Sequence, residues 1–143
     1  MVKKMFLVLI CFIGLIIFVS TLHSQGPKKT ITLPNGEVVC DLNGEWNTLY
    51  EHYGPLQFIG TLKGTLMIIQ QGNTFVAKTT MDSEYSPKGT EKIRGELDKD
   101  EIKKARYSRP DLGWIKAKGE IGKDCEKIVF DDDSGVKVIL ERK

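Results

Sequence analysis

Few residues of this chain are of types that do chemistry, and their spacing decides what each could do. His52 is the last histidine and the only one beyond residue 26. Nucleophilic catalysis needs an imidazole beside a serine or cysteine and an orienting carboxylate, and no G-x-S-x-G stretch supplies that context. Asp131-Asp132-Asp133-Ser134-Gly135 has the composition of half a calcium loop. It lacks the alternating oxygen ligands and closing glutamate of an EF-hand, so it reads as a solvated hairpin turn. Cys40, Cys125 and His52 are scattered without zinc-ligand spacing. Neither a metal, a cofactor nor enzyme activity is expected. Lys99, Lys103, Lys104, Arg106 and Arg109 form a basic cluster that Asp98, Asp100 and Glu101 offset. Alternation along that strand puts Lys104 and Arg106 on one face, and Lys103 on the other with Ala105 and Tyr107. A nucleic-acid surface would gather its bases on one face with aromatic partners, so no nucleic-acid partner is expected.

A second group suits binding. His52, Tyr53, Tyr85, Tyr107, Arg109 and Trp114 combine aromatic rings with a cation. Together they could hold a planar or amphipathic molecule by stacking and hydrogen bonding. They are far apart in sequence, so the fold must bring them to one end.

The elements that would do so are short strands. From Asp41 onward turn signals recur at close intervals, among them Asn43-Gly44, Gln71-Gly72-Asn73, Ser86-Pro87-Lys88-Gly89, Arg109-Pro110-Asp111 and Asp132-Asp133-Ser134-Gly135. The runs between them alternate with period two. Ile93, Gly95 and Leu97 alternate with Lys92, Arg94 and Glu96, and Ile115, Ala117, Gly119 and Ile121 with Trp114, Lys116, Lys118 and Glu120. Strands are expected at 45–52, 64–70, 74–81, 90–97, 101–107, 114–121, 126–131 and 136–142. The run 101–107 could equally be a helical turn. A short hairpin, 30–33 and 37–39 around Pro34-Asn35-Gly36, either packs outside or caps an end.

Eight strands joined by short links imply an all-β, eight-stranded antiparallel up-and-down barrel, because closure removes the unpaired edges of an open sheet. Loops 53–63, 82–89 and 108–113 are longer than 71–73, 98–100 and 122–125. Alternate loops of a meander share an end, so one end is closed by tight turns and the other is an elaborated mouth. The six binding candidates fall near that mouth. An eight-stranded barrel is either filled by side chains or holds one small ligand.

Residues 1–24 read as a signal peptide. Lys3 and Lys4 precede the uncharged run Met5 to Val19, which is shorter than the roughly 20 residues a spanning helix needs. An uncleaved N-terminal anchor is the alternative. The 143-residue chain carries 21 Lys+Arg against 19 Asp+Glu. Removing the two leader lysines makes bases and acids equal, so no global charge favours an anionic partner. The expected organisation is a leader at 1–24, an extension with a hairpin at 25–40, and a barrel at 41–143. The protein is expected to be exported, to the periplasm or beyond, with no membrane span once the leader is gone.

Asp41-Leu42-Asn43-Gly44-Glu45-Trp46 opens the first barrel strand with a G-x-W. This resembles the calycin superfamily of lipocalins, fatty-acid-binding proteins and avidins. The resemblance implies that Trp46 sits at the closed end under a basic residue of the last strand, here Arg142. No T-D-Y motif accompanies it, and no ligand is carried over. The chain also resembles small secreted bacterial proteins of uncharacterised function.

Cys40 and Cys125 both fall at the closed end of the meander. In an exported domain an even cysteine count favours a disulfide; two thiols buried apart are the alternative. The expected function is binding of a small apolar or aromatic molecule at the open end. The alternative is a cell-envelope interaction module that contacts protein or glycan through its long loops over a filled barrel.

Overall fold

The computed structural model describes residues 29–143. The expected signal peptide and residues 25–28 lie outside the described residues. A hairpin of β1 (Thr30–Thr32) and β2 (Val38–Cys40) leads into the barrel strands β3 (Gly44–His52), β4 (Thr61–Gln71), β5 (Thr74–Thr79), β6 (Glu91–Asp98) and β7 (Glu101–Arg109). β8 (Gly113–Lys116), β9 (Lys118–Ile121), β10 (Lys127–Asp131) and β11 (Val136–Arg142) complete it. β8 and β9 both pair with β7 and are two halves of one strand, interrupted at Ala117, whose amide still donates to the Ala105 carbonyl at 3.0 Å. Antiparallel pairing runs β3-β4-β5-β6-β7, through the broken strand to β10 and β11, and back to β3. The sheet therefore closes as an eight-stranded antiparallel barrel, and 101–107 is strand rather than helix.

The tight turns gather at one end as the alternation requires. Gly72, with φ +61, occupies a left-handed position in the two-residue β4–β5 turn that a β-carbon would strain. The hairpin caps this end. Val39, Cys40 and Leu42 are buried beneath it, and Glu37 Oε1 accepts the Lys99 amide of the β6–β7 turn at 2.7 Å. Gln70 clamps the cap to β4: Oε1 accepts the Leu42 amide at 2.7 Å and Nε2 donates to the Cys40 carbonyl at 3.2 Å. Cys40 and Cys125 form a disulfide with Cα atoms 5.6 Å apart.

Side chains fill this closed half. Trp46, Leu66, Ile68, Phe130 and Leu140 are almost wholly buried. The rings of Phe75 and Phe130 meet tilted, 6.2 Å between centroids. Gly119 makes room for them: a β-carbon there would stand 2.9 Å from both Ile102 Cβ and Phe130 Cε1. Gly119→Ala is therefore expected to destabilise the barrel by roughly 1–3 kcal/mol, as overpacking does. Urea unfolding measures it, and an unchanged midpoint would mean that Ile102 and Phe130 can move aside.

Alternation fails at two places, both bulges. Between β5 and β6, Ala77 pairs with Ile93 but Lys78 pairs with Glu91, which leaves Lys92 as the extra residue. Lys92 and Ile93 are consecutively buried, so the bulge turns Lys92 off the outer face expected from its alternation with Ile93. Between β6 and β7 the register shifts between Arg94 and Glu96, and Lys104 on the facing strand has φ +50. Lys103, Lys104 and Arg106 are all exposed there, so Lys103 does not share the buried face of Ala105 and Tyr107.

Candidate functional site

The open end carries the segments 53–60, 80–90, 110–112 and 132–135. The first contains a 3-10 turn, Gly54–Ile59, started by Pro55. β4 begins at Thr61, three residues before the strand that the sequence places at 64–70, which shortens this loop to 53–60. Beneath these loops lies a cavity of about 490 Å³. Its walls are strand residues Tyr50, His52, Leu62, Lys92, Tyr107 and Val136, and its rim includes Leu56, Ile59, Met81 and Tyr85. The barrel is thus filled at one end and hollow at the other.

Of the residues expected at the mouth, His52, Tyr85, Tyr107 and Arg109 line this cavity. Tyr53 and Trp114 are not among its lining residues. Tyr53 turns to the neighbouring loop, where its hydroxyl donates to Asp131 Oδ1 at 2.6 Å, a bond that pushes the phenol up to about 12. Trp114 stands outside the barrel, with the Arg94 guanidinium 4.2 Å from its ring centroid. Trp46, Arg142, Cys40 and Cys125 belong to the opposite end, with the Arg142 guanidinium 4.5 Å from the Trp46 ring centroid.

Arg109 is buried but fully engaged. Nε donates to Asp111 Oδ1 at 2.9 Å and Nη2 to Oδ2 at 2.5 Å, which holds the Asp111 carboxyl below its ordinary range. Nη1 donates to Ser134 Oγ at 2.8 Å and faces Asp132 Oδ2 at 3.5 Å. Asp132 Oδ1 in turn accepts the amides of Ser134 and Val136 at 2.8 and 3.0 Å. The guanidinium is a strut between two mouth loops, and of the two aspartates it braces, Asp132 orders the last hairpin turn.

His52 Nδ1 lies 2.7 Å from the Gly60 carbonyl, which only accepts, so Nδ1 carries a proton. No serine, cysteine or carboxylate among the described residues hydrogen-bonds to the ring. Among the described residues no group of three His, Cys, Asp or Glu could hold a metal ion. The same residues contain no helix long and apolar enough to cross a membrane.

Four wall residues were not among the expected binding residues: Tyr50, Leu62, Lys92 and Val136. Tyr50 shares the parity of His52 along β3, and that signal could have found it. Lys92 carried no such signal, because a bulge is set by the partner strand. Burial raises both wall tyrosines: Tyr107 is pushed up to about 12 and Tyr50 further. Neither hydroxyl has a hydrogen-bond partner among the described residues. A phenol whose folded pKa is raised contributes stability that is fully present below its unfolded value of 10.0. That stability is lost as pH climbs through the folded value. Ultraviolet titration of the native chain should therefore show delayed phenolate formation, and stability should fall above about pH 10. Native and urea-unfolded titrations that coincide would refute it.

No protein-family model, curated protein or solved structure matches this chain.

Proposed function

We propose that the chain is an exported, non-enzymatic binding protein of calycin-like build that holds one small apolar or aromatic molecule in the mouth of its barrel. One observation carries this reading: the half-empty barrel, with a cavity of about 490 Å³ walled mainly by Leu62, Val136, Tyr50 and Tyr107. Ligand sites commonly measure roughly 300–1,000 Å³, with apolar walls and a few placed polar groups. The disulfide supports an oxidising, extracytoplasmic setting.

N-phenylnaphthylamine, a neutral aromatic dye that fluoresces in apolar surroundings, tests the reading. Saturable binding at a single site is expected, and Val136→Trp, which fills the cavity, should abolish it while the barrel stays folded. Dye binding that is unsaturable, or indifferent to the Val136 substitution, would remove the reading.

A second reading has its own observation. Phe58, Met81, Tyr85 and Leu112 on the mouth loops are 81%, 57%, 55% and 58% exposed. Apolar residues concentrated on one rim suit contact with a cell-envelope protein or glycan. Under that reading Phe58→Ser with Leu112→Ser loses retention on isolated envelopes and keeps dye binding.

A further inference from the structure

Lys92 is 8% exposed, lines the mouth cavity, and makes neither a hydrogen bond nor an ion pair among the described residues. Its stem is covered while the amine opens into the cavity without a counter-charge, a partly desolvated cation that an anion would stabilise. Burial accordingly lowers the affinity of the amine for its proton, with no neighbouring carboxylate to restore it. The position is also built rather than incidental. In a regular β6 strand Lys92 would face solvent beside Arg94 and Glu96, and the bulge opposite Ala77 and Lys78 turns it inward. Glu91, the adjacent carboxylate, pairs instead with Lys78, 3.9 Å away.

The other cation buried at the mouth cannot serve an incoming anion, since Asp111, Asp132 and Ser134 already occupy Arg109. Next to Lys92 the sheet register pairs Ile93 with Tyr107, whose hydroxyl has no partner among the described residues. Tyr50 enters the same cavity. The Lys92 ammonium shares this cavity with two phenols, while the other lysine of its lining, Lys63, likewise unpaired among the described residues, is exposed at its edge. A covered cation under an apolar rim has the chemistry to complement a single negative charge on an apolar body.

We propose that the mouth takes a monoanionic amphiphile, a carboxylate on an aliphatic or aromatic body, with Lys92 as its counter-ion and the Tyr107 hydroxyl as a donor from the same cavity wall. This rests on the cavity reading above and narrows it to one ligand class. The amine is a binding group, and no covalent step is involved.

Decanoate and decanol, which share a chain and differ in charge, are titrated by calorimetry and as competitors of N-phenylnaphthylamine. Decanoate should bind about tenfold or more tightly than decanol, in keeping with a charge-assisted hydrogen bond in a buried site. Lys92→Met, which keeps most of the stem, should erase that preference, with saturable dye binding as the sign that the cavity persists. Tyr107→Phe should reduce the preference by roughly threefold. Lys116→Met, an exposed change on the outer wall, is the charge control and should leave the preference intact. Equal binding of decanoate and decanol by the native chain overturns the inference while the dye still supports the cavity, and that comparison needs no variant. A preference that survives in Lys92→Met overturns it too. Failure of dye, decanoate and decanol alike removes the cavity reading and this inference with it.

Discussion

Trp46→Ala is expected to cost about 3–5 kcal/mol, the range for deleting a large buried aromatic side chain. A domain of this size has about 5–15 kcal/mol in all, so the variant should lose a large share of its stability. Three separate losses act together. The indole is fully buried at the closed end, so its removal leaves a cavity in the packed core. Its Nε1 donates to the Leu42 carbonyl at 2.9 Å, and removing it orphans a buried acceptor. Its ring also carries the Arg142 guanidinium, centred 4.5 Å away. Arg142 does more than stack: Nη2 donates to the carbonyls of Asp41 and Cys125 at 2.6 and 3.0 Å, and Nη1 to that of Asn43 at 3.3 Å. Its Nε faces Glu126 Oε2 at 3.3 Å in an ion pair whose geometry falls short of a hydrogen bond. Trp46 thus supports the residue that ties the last strand to the cap. Trp46→Phe keeps part of the volume and should cost less, and Arg142→Met should show coupling to it in a double-mutant cycle. Urea unfolding followed by far-ultraviolet circular dichroism reads all three. A Trp46→Ala loss below about 1 kcal/mol would mean that the end is held by the hairpin alone.

Closure of the barrel was legible in the sequence because it follows from local signals. The turn residues fix where strands end, and period-two runs such as Val136, Val138 and Leu140 fix which face is buried. The site was legible only in part. Tyr107 and Arg109 were found by their place at the mouth, where the expected strand 101–107 passes into the loop 108–113; the structure extends the strand to Arg109 and buries both side chains. Trp114 was included for its place near a long loop, although its parity opposes that of Ile115 and Ala117; the structure puts it outside under Arg94. Proximity to an end and orientation are independent conditions, and only their combination locates a wall residue. Lys92 could not be read at all. Its orientation depends on how β5 pairs with β6, and nothing in the run Glu91-Lys92-Ile93 encodes the partner's register. The same holds for Lys103, where the bulge at Lys104 resets the faces. Both bulge failures are non-local, and one of them supplies the cation on which the ligand class turns.

Reducing the Cys40–Cys125 bridge should cost nearly as much as losing Trp46, and at no cost to the mouth. The two cysteines are 85 residues apart in sequence, and for a loop of that size chain entropy gives an upper figure of about 4–5 kcal/mol. That stabilisation acts chiefly by restricting the unfolded chain, so the folded barrel should keep its closed sheet when reduced. Locally, the bridge joins the hairpin strand β2 to the β9–β10 turn, where the Cys125 carbonyl accepts from Arg142. Amide exchange should therefore quicken first at Val39 and Leu42, while the β3–β11 pairing around Tyr50 and Val138 stays protected. Cys40→Ala with Cys125→Ala separates this effect from the reductant and should lower stability by about 3–4 kcal/mol. Thiol counting on the denatured, unreduced chain is the direct check, and two reactive thiols would sink the idea. The cavity lies at the other end of the barrel, so dye affinity measured well below the melting point should not change on reduction. If affinity does fall, the two ends are mechanically coupled, and the hollow mouth depends on the closed end holding the strands in register.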